Sequence, residues 1–118
     1  MFSKEGLIVD LRTELMWAPA PDWDINWDQA DNYAKNLRAG GFSDWRLPSR
    51  QELEGLYNPS SSNKVHPAFH VKDMWVWAEE LSGSLYAWAY CFTSSGIESP
   101  EMRSRHGDYK VLAVRFRK

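Results

Sequence analysis

A single cysteine, Cys91, among 118 residues leaves the chain without an internal disulfide, so its stability must come from packing, as in proteins of a reducing compartment. No apolar run approaches the roughly 20 residues of a membrane span, which excludes insertion as a helix. The amino-terminal stretch Met1-Phe2-Ser3-Lys4-Glu5-Gly6 has one basic residue and no apolar core before Asp10, unlike a secretory signal. The expectation is a cytoplasmic chain or a mature or excised domain, with the compartment left open. Histidine is scarce as well. His66 and His70 have the spacing of two ligands on one helical turn, but Pro67 breaks that helix and His106 is remote, so neither a metal nor a cofactor is expected. A formal net charge of -2 gives no basis for general nucleic-acid binding.

Aromatic residues are plentiful: seven Trp, five Tyr and five Phe exclude disorder and demand a substantial core. The length fits one domain over 1–118. Charge is unevenly spread. Residues 1–99 carry 8 basic and 14 acidic side chains, whereas residues 100–118 carry 6 and 2, so the tail offers a local basic patch.

Leu7-Ile8-Val9 and Leu15-Met16-Trp17 read as two short strands with a turn over Asp10 to Glu14. Asn26 and Gln29 form a capping box, and Trp27, Ala30, Ala34 and Leu37 recur at helical spacing, predicting a helix over 27–38 closed by Gly40. Pro48 holds Leu47 extended, and Ser49 with Glu52 makes a second capping box, predicting a helix over 50–57 that Asn58-Pro59 ends. Beyond a polar loop, Val65 to His70 is apolar enough to fold back over the core. Residues 74–78 and 86–93 read as a strand pair with Glu79 to Ser84 between them. In the second of these, Tyr86, Trp88, Tyr90 and Phe92 share one face and Ala87, Ala89 and Cys91 the other, as in a central strand. Residues 98–108 read as a polar loop, and 110–117 as a closing strand with one wetter face.

The run Gly41-Phe42-Ser43-Asp44-Trp45-Arg46-Leu47-Pro48-Ser49, followed by Glu52-Leu53, resembles the signature of the Lcl C-terminal domain family, named for the Legionella collagen-like protein. Val9-Asp10, Thr13, Leu15-Met16-Trp17, Trp27, Ala30, Tyr33, Trp75 and the closing Val114-Arg115 fall in the family's order. The resemblance implies an α+β, C-type-lectin-like fold: two helices flanking a small, twisted, mostly antiparallel sheet with long loops. It also implies a non-catalytic binding or adhesion module whose partner is an anionic glycan or a surface protein, and which can assemble as a homo-oligomer. Family members often carry cysteines where this chain has Ala34 and Ala113, so the resemblance implies that these two positions lie close together. A more distant similarity to formylglycine-generating enzymes around Arg46-Leu47-Pro48 raises an enzyme or redox reading that uses Cys91. Those enzymes bind copper through a cysteine pair, and this chain has one cysteine.

Candidate ligand-binding residues are the basic side chains Arg103, Arg105, His106 and Lys110, suited to sulfate or carboxylate groups, and Trp23 and Trp77, suited to stacking on sugar rings. The alternatives are an ordinary charged loop interleaved with Glu98, Glu101 and Asp108, and core tryptophans. Asp22 and Asp24 supply too few oxygens for calcium. Asp44, Trp45, Arg46, Pro48, Ser49 and Glu52 are read as a structural motif, in which a guanidinium beside a helix start ties down carbonyls and carboxylates. Cys91 is read as a buried, inert thiol, and no catalytic residue is assigned.

Overall fold

The computed structural model describes residues 2–4, 6–18, 24–57, 75–92, 96–105 and 107–117. The chain is mixed α+β, with two four-stranded sheets and two short helices. The first sheet holds β1 (Phe2–Lys4), β2 (Leu7–Asp10), β3 (Leu15–Ala18) and β8 (Ala113–Phe116) in the order β1-β2-β3-β8, all antiparallel. The second holds β4 (Trp75–Ser82), β5 (Tyr86–Cys91), β6 (Ile97–Met102) and β7 (Tyr109–Lys110) in the order β6-β5-β4-β7, with only the β4 and β7 pair parallel.

Helix α1 spans Trp27–Asn36. Its capping box is formed: the Asn26 side chain accepts from the Gln29 N–H at 2.9 Å, and Gln29 Oε1 accepts from the Asn26 N–H at 3.1 Å. Trp27, Ala30 and Ala34 are its buried face, and the Trp27 indole donates to the Ala78 carbonyl of β4 at 2.8 Å. A 3-10 turn over Ala39–Gly41 follows, with Gly40 and Gly41 both at positive φ.

Helix α2, Arg50–Glu54, is shorter than the expected 50–57. Past Glu54 the bonding tightens: Leu56 N–H donates to Leu53 and Tyr57 N–H to Glu54, so Gly55 begins a turn rather than another helical step.

The closing segment enters both sheets. Val111 and Leu112 link β7 to β8 without exposure, and alternation places Val111 and Ala113 in a cluster with α1, Trp45 and Trp77, while Leu112 and Val114 join Ile8, Trp17, Leu53 and Phe92. Both faces are therefore buried, which corrects the expected wetter face; only Phe116 and Arg117 are exposed. The polar loop expected over 98–108 is in large part β6, an edge strand that admits Pro100 because it needs no ladder donor on its open side. Glu79, Glu80 and Leu81, read as a connection, lie within β4 around a bulge between Trp77 and Leu81. Strand β5 is central, as its small-and-large alternation predicts. The expected folding back of Val65 to His70 lies outside the described residues.

Candidate functional site

The expected basic surface is largely occupied by internal partners. Arg103 pairs with Asp28 in the first turn of α1, lies 4.8 Å from the centroid of the Trp27 ring, and donates to the Ser84 carbonyl at 3.2 Å. Its backbone reaches the same neighbours, donating to Leu85 O and accepting from Trp27 N–H. It fastens the start of α1 to the β4–β5 tip. Lys110 is 6% exposed and donates to Asp24 at 3.1 Å. Arg105 is exposed, beside a hollow of about 390 Å3 bordered by Ser104, Gly107 and Tyr109. His106 and Trp23 lie outside the described residues.

Trp77 does not offer a sugar platform. It is fully buried, donates to the Ile25 carbonyl at 2.9 Å, and stacks on Tyr109 at 4.7 Å. Trp75, half-buried, also stacks on Tyr109, with ring centroids 6.2 Å apart. The Tyr109 hydroxyl donates to Glu101 at 2.5 Å; burial, then that bond to a carboxylate, push its pKa up to about 12.

The Asp44 to Glu52 segment sets the geometry of a different place. Trp45 is buried and donates to Ala39 O at 3.1 Å, and Asp44 pairs at 2.6 Å with the otherwise buried guanidinium of Arg115, which stacks on Phe42. Arg46 exchanges two backbone hydrogen bonds with Val114 and spends its side chain on Glu52, Nη1 and Nη2 each donating at 2.8 Å. Glu52 Oε1 also accepts from Ser49 N–H at 2.8 Å. Burial alone would raise the Glu52 pKa, but the Arg46 and Ser49 hydrogen bonds overcome it and hold the carboxyl below its ordinary value. Arg50 adds two ties from the same helix start, its N–H to Glu80 and its guanidinium to Glu98 while resting on the Trp88 ring. α2 is thereby fixed to both sheets.

Between α2 and the first sheet lies an open cleft of about 730 Å3, nearly twice the volume of the Arg105 hollow. Leu15, Trp17 and Leu56 form its floor and Phe116, 59% exposed, its apolar lip. Asp10, Glu52 and Glu54 are the charged groups on its wall. Asp10, at the end of β2, is 2% exposed and accepts from the Arg12 N–H at 3.0 Å through Oδ1. No local pattern announces this place, because its members come from the β2–β3 hairpin, α2 and β8. The signal available was Asp10, a carboxylate closing an apolar strand.

Cys91 is half-buried on β5 opposite Trp75 and Ile97. Among the described residues no group of three or more His, Cys, Asp or Glu side chains is placed to hold a metal ion, and no helix is long and apolar enough to cross a membrane.

Fold and site together define a small α+β domain that presents a cleft between a clamped helix and a sheet. A family model for the Lcl C-terminal domain matches residues 6–115, and the chain belongs to that family. No curated protein matches it in sequence.

Proposed function

We propose that this domain is a non-catalytic binding module that engages an extracellular partner, with the cleft between α2 and the first sheet as its seat. The observation that carries the reading is the cleft's makeup: an apolar floor and lip, a few carboxylates, and walls made rigid by the Arg46–Glu52 pair. A concave apolar surface with sparse, fixed polar groups is the usual form of a binding site. Membership of the family is consistent with such a role. The lectin-like architecture and adhesion belong to this same proposal, as does self-association, which light scattering at micromolar concentration tests.

An anionic glycan is the second reading, and exposed Arg105 beside its hollow is the observation that favours it. Arg103 and Lys110 bring it little, since Asp28 and Asp24 neutralise them. Amide chemical-shift mapping separates the two. Hits from glycan and peptide arrays, titrated into the labelled domain, should shift the signals of Leu15, Gln51, Glu54 and Gly55. Shifts confined to Ser104, Arg105 and Gly107, with retention on heparin that falls as salt rises, would move the site to the hollow and the ligand to a polyanion. An enzyme or redox role for Cys91 returns only if a thiol reagent labels the native protein rapidly.

A further inference from the structure

We infer that the cleft receives the guanidinium or ammonium group of a basic side chain on a polypeptide partner. The inference rests on the cleft being the domain's binding seat. Among the described residues its wall carries three carboxylates, Asp10, Glu52 and Glu54, and no Lys, Arg or His. Only Glu52 is matched in full, by Arg46 and Ser49.

Asp10 is the informative member. A carboxylate withdrawn from water needs donors to replace its hydration. Asp10 is 2% exposed, yet it takes one backbone N–H, from Arg12, and its nearest cation, Arg12 Nε, stands 3.8 Å away on a side chain that is 79% exposed. Both of these contacts fall on Oδ1. A cation entering the cleft supplies a charge-assisted hydrogen bond to this carboxylate, with Glu54 as a second carboxylate at the rim. Phe116 and Leu56 give the alkyl stem an apolar surface to lie on. A sulfated or carboxylated ligand would meet like charge in the same place, and a neutral sugar, whose hydroxyls can donate to Asp10, would leave its charge uncompensated.

The shape selects a polypeptide over a free amine. The cleft is open to solvent, and its volume of about 730 Å3 is several times that of one basic side chain, so there is room for the residues before and after it.

The test uses the whole domain, isotope-labelled, and three probes: acetyl-Leu-Arg-Leu-amide, the same peptide with neutral citrulline for arginine, and acetyl-arginine-amide. The arginine peptide should shift the amides of residues 10–13 and 51–56 saturably, and citrulline should weaken binding about tenfold, as expected when a charge-assisted bond is lost. Asp10→Asn should weaken the arginine peptide by a similar factor. If that variant does not fold, exposed Glu54→Gln carries the test, with a loss of roughly two- to threefold that added salt abolishes. Equal binding of the arginine and citrulline peptides at these residues would overturn the charge-based inference while leaving the cleft as the seat. Equal affinity for acetyl-arginine-amide would overturn the polypeptide partner. Saturable shifts elsewhere, or none in the cleft with any array hit, would overturn both the inference and the reading beneath it.

Discussion

Arg46 and Glu52 meet through two parallel hydrogen bonds of 2.8 Å, and the same carboxylate caps the helix on which it stands. Arg46 also bridges to Val114 through its backbone, so a single residue joins β8 to the start of α2. The pair is partly buried, with side chains 31% and 16% exposed, and its bidentate geometry fixes direction as well as distance. One wall of the cleft is therefore held in place by a bond that no ligand has to form.

Breaking this pair should cost more than losing an ordinary surface ion pair. A double-mutant cycle with Arg46→Met and Glu52→Gln, read by urea unfolding, should give a coupling energy on the order of 1–3 kcal/mol. A value near zero would reduce the pair to a surface contact. Because the folded-state pKa of Glu52 lies below its ordinary 4.5, its contribution is present above that value and is lost as pH falls through the folded value. The stability gap between the wild type and Glu52→Gln should therefore be full at neutral pH and close in acid below about 4.5.

Two adjacent glycines should respond differently to a methyl group. Gly40 and Gly41 have φ of 66° and 83°, where an L side chain is strained. A Cβ on Gly41 meets nothing within 4 Å, whereas one on Gly40 would sit 2.8 Å from Leu7 Cδ1 in the core. Gly41→Ala should cost about 1 kcal/mol, with partial recovery in Gly41→Asn, which tolerates the left-handed region. Gly40→Ala should cost about 1–3 kcal/mol beyond that for displacing Leu7. Equal losses in thermal or urea unfolding would mean that Leu7 moves freely.

What the sequence disclosed were the features encoded over a few residues. Both capping boxes, the first hairpin and the alternation of β5 are local patterns, and each is present. The bounds that drifted are those set by tertiary contacts: α2 stops at Glu54 although Leu56 continues the apolar spacing, and β6 exists because β5 offers an edge, since Ile-Glu-Ser-Pro-Glu-Met alternates too weakly to announce a strand. The split of the closing segment between two sheets is likewise invisible in a run whose apolar residues are continuous from Val111 to Val114. For the site, charge at Arg103 and Lys110 was legible but its partners were not. Asp28 lies 75 residues from Arg103 and Asp24 86 from Lys110, and no local pattern connects them.

Tyr109 should ionise late in an alkaline titration. Burial and its bond to Glu101 raise the folded-state pKa from 10.0 to about 12, so the folded protein keeps a proton that the unfolded chain gives up. Its contribution is complete below about 10 and disappears as pH climbs toward 12. Tyrosinate absorbance should show a late step that coincides with loss of near-ultraviolet circular dichroism, and Tyr109→Phe should remove that step. A Tyr109→Phe protein with the same late step would assign it to another tyrosine.

Ala34 of α1 and Ala113 of β8 are 0% and 1% exposed and belong to one buried cluster, which also holds Trp27, Trp45 and Trp77. A disulfide between these two positions requires Cα atoms within roughly 7 Å of each other. The variant Ala34→Cys with Ala113→Cys should form that bond under mild oxidation, since the positions join the first helix to the last strand. Closing a loop of this length should raise stability by roughly 2–4 kcal/mol where geometry is unstrained. Cys91→Ala in the same background keeps the native thiol from competing. Thiol counting and unfolding with and without reductant read the outcome; two free thiols after oxidation would mean that the two elements pass each other out of bonding reach.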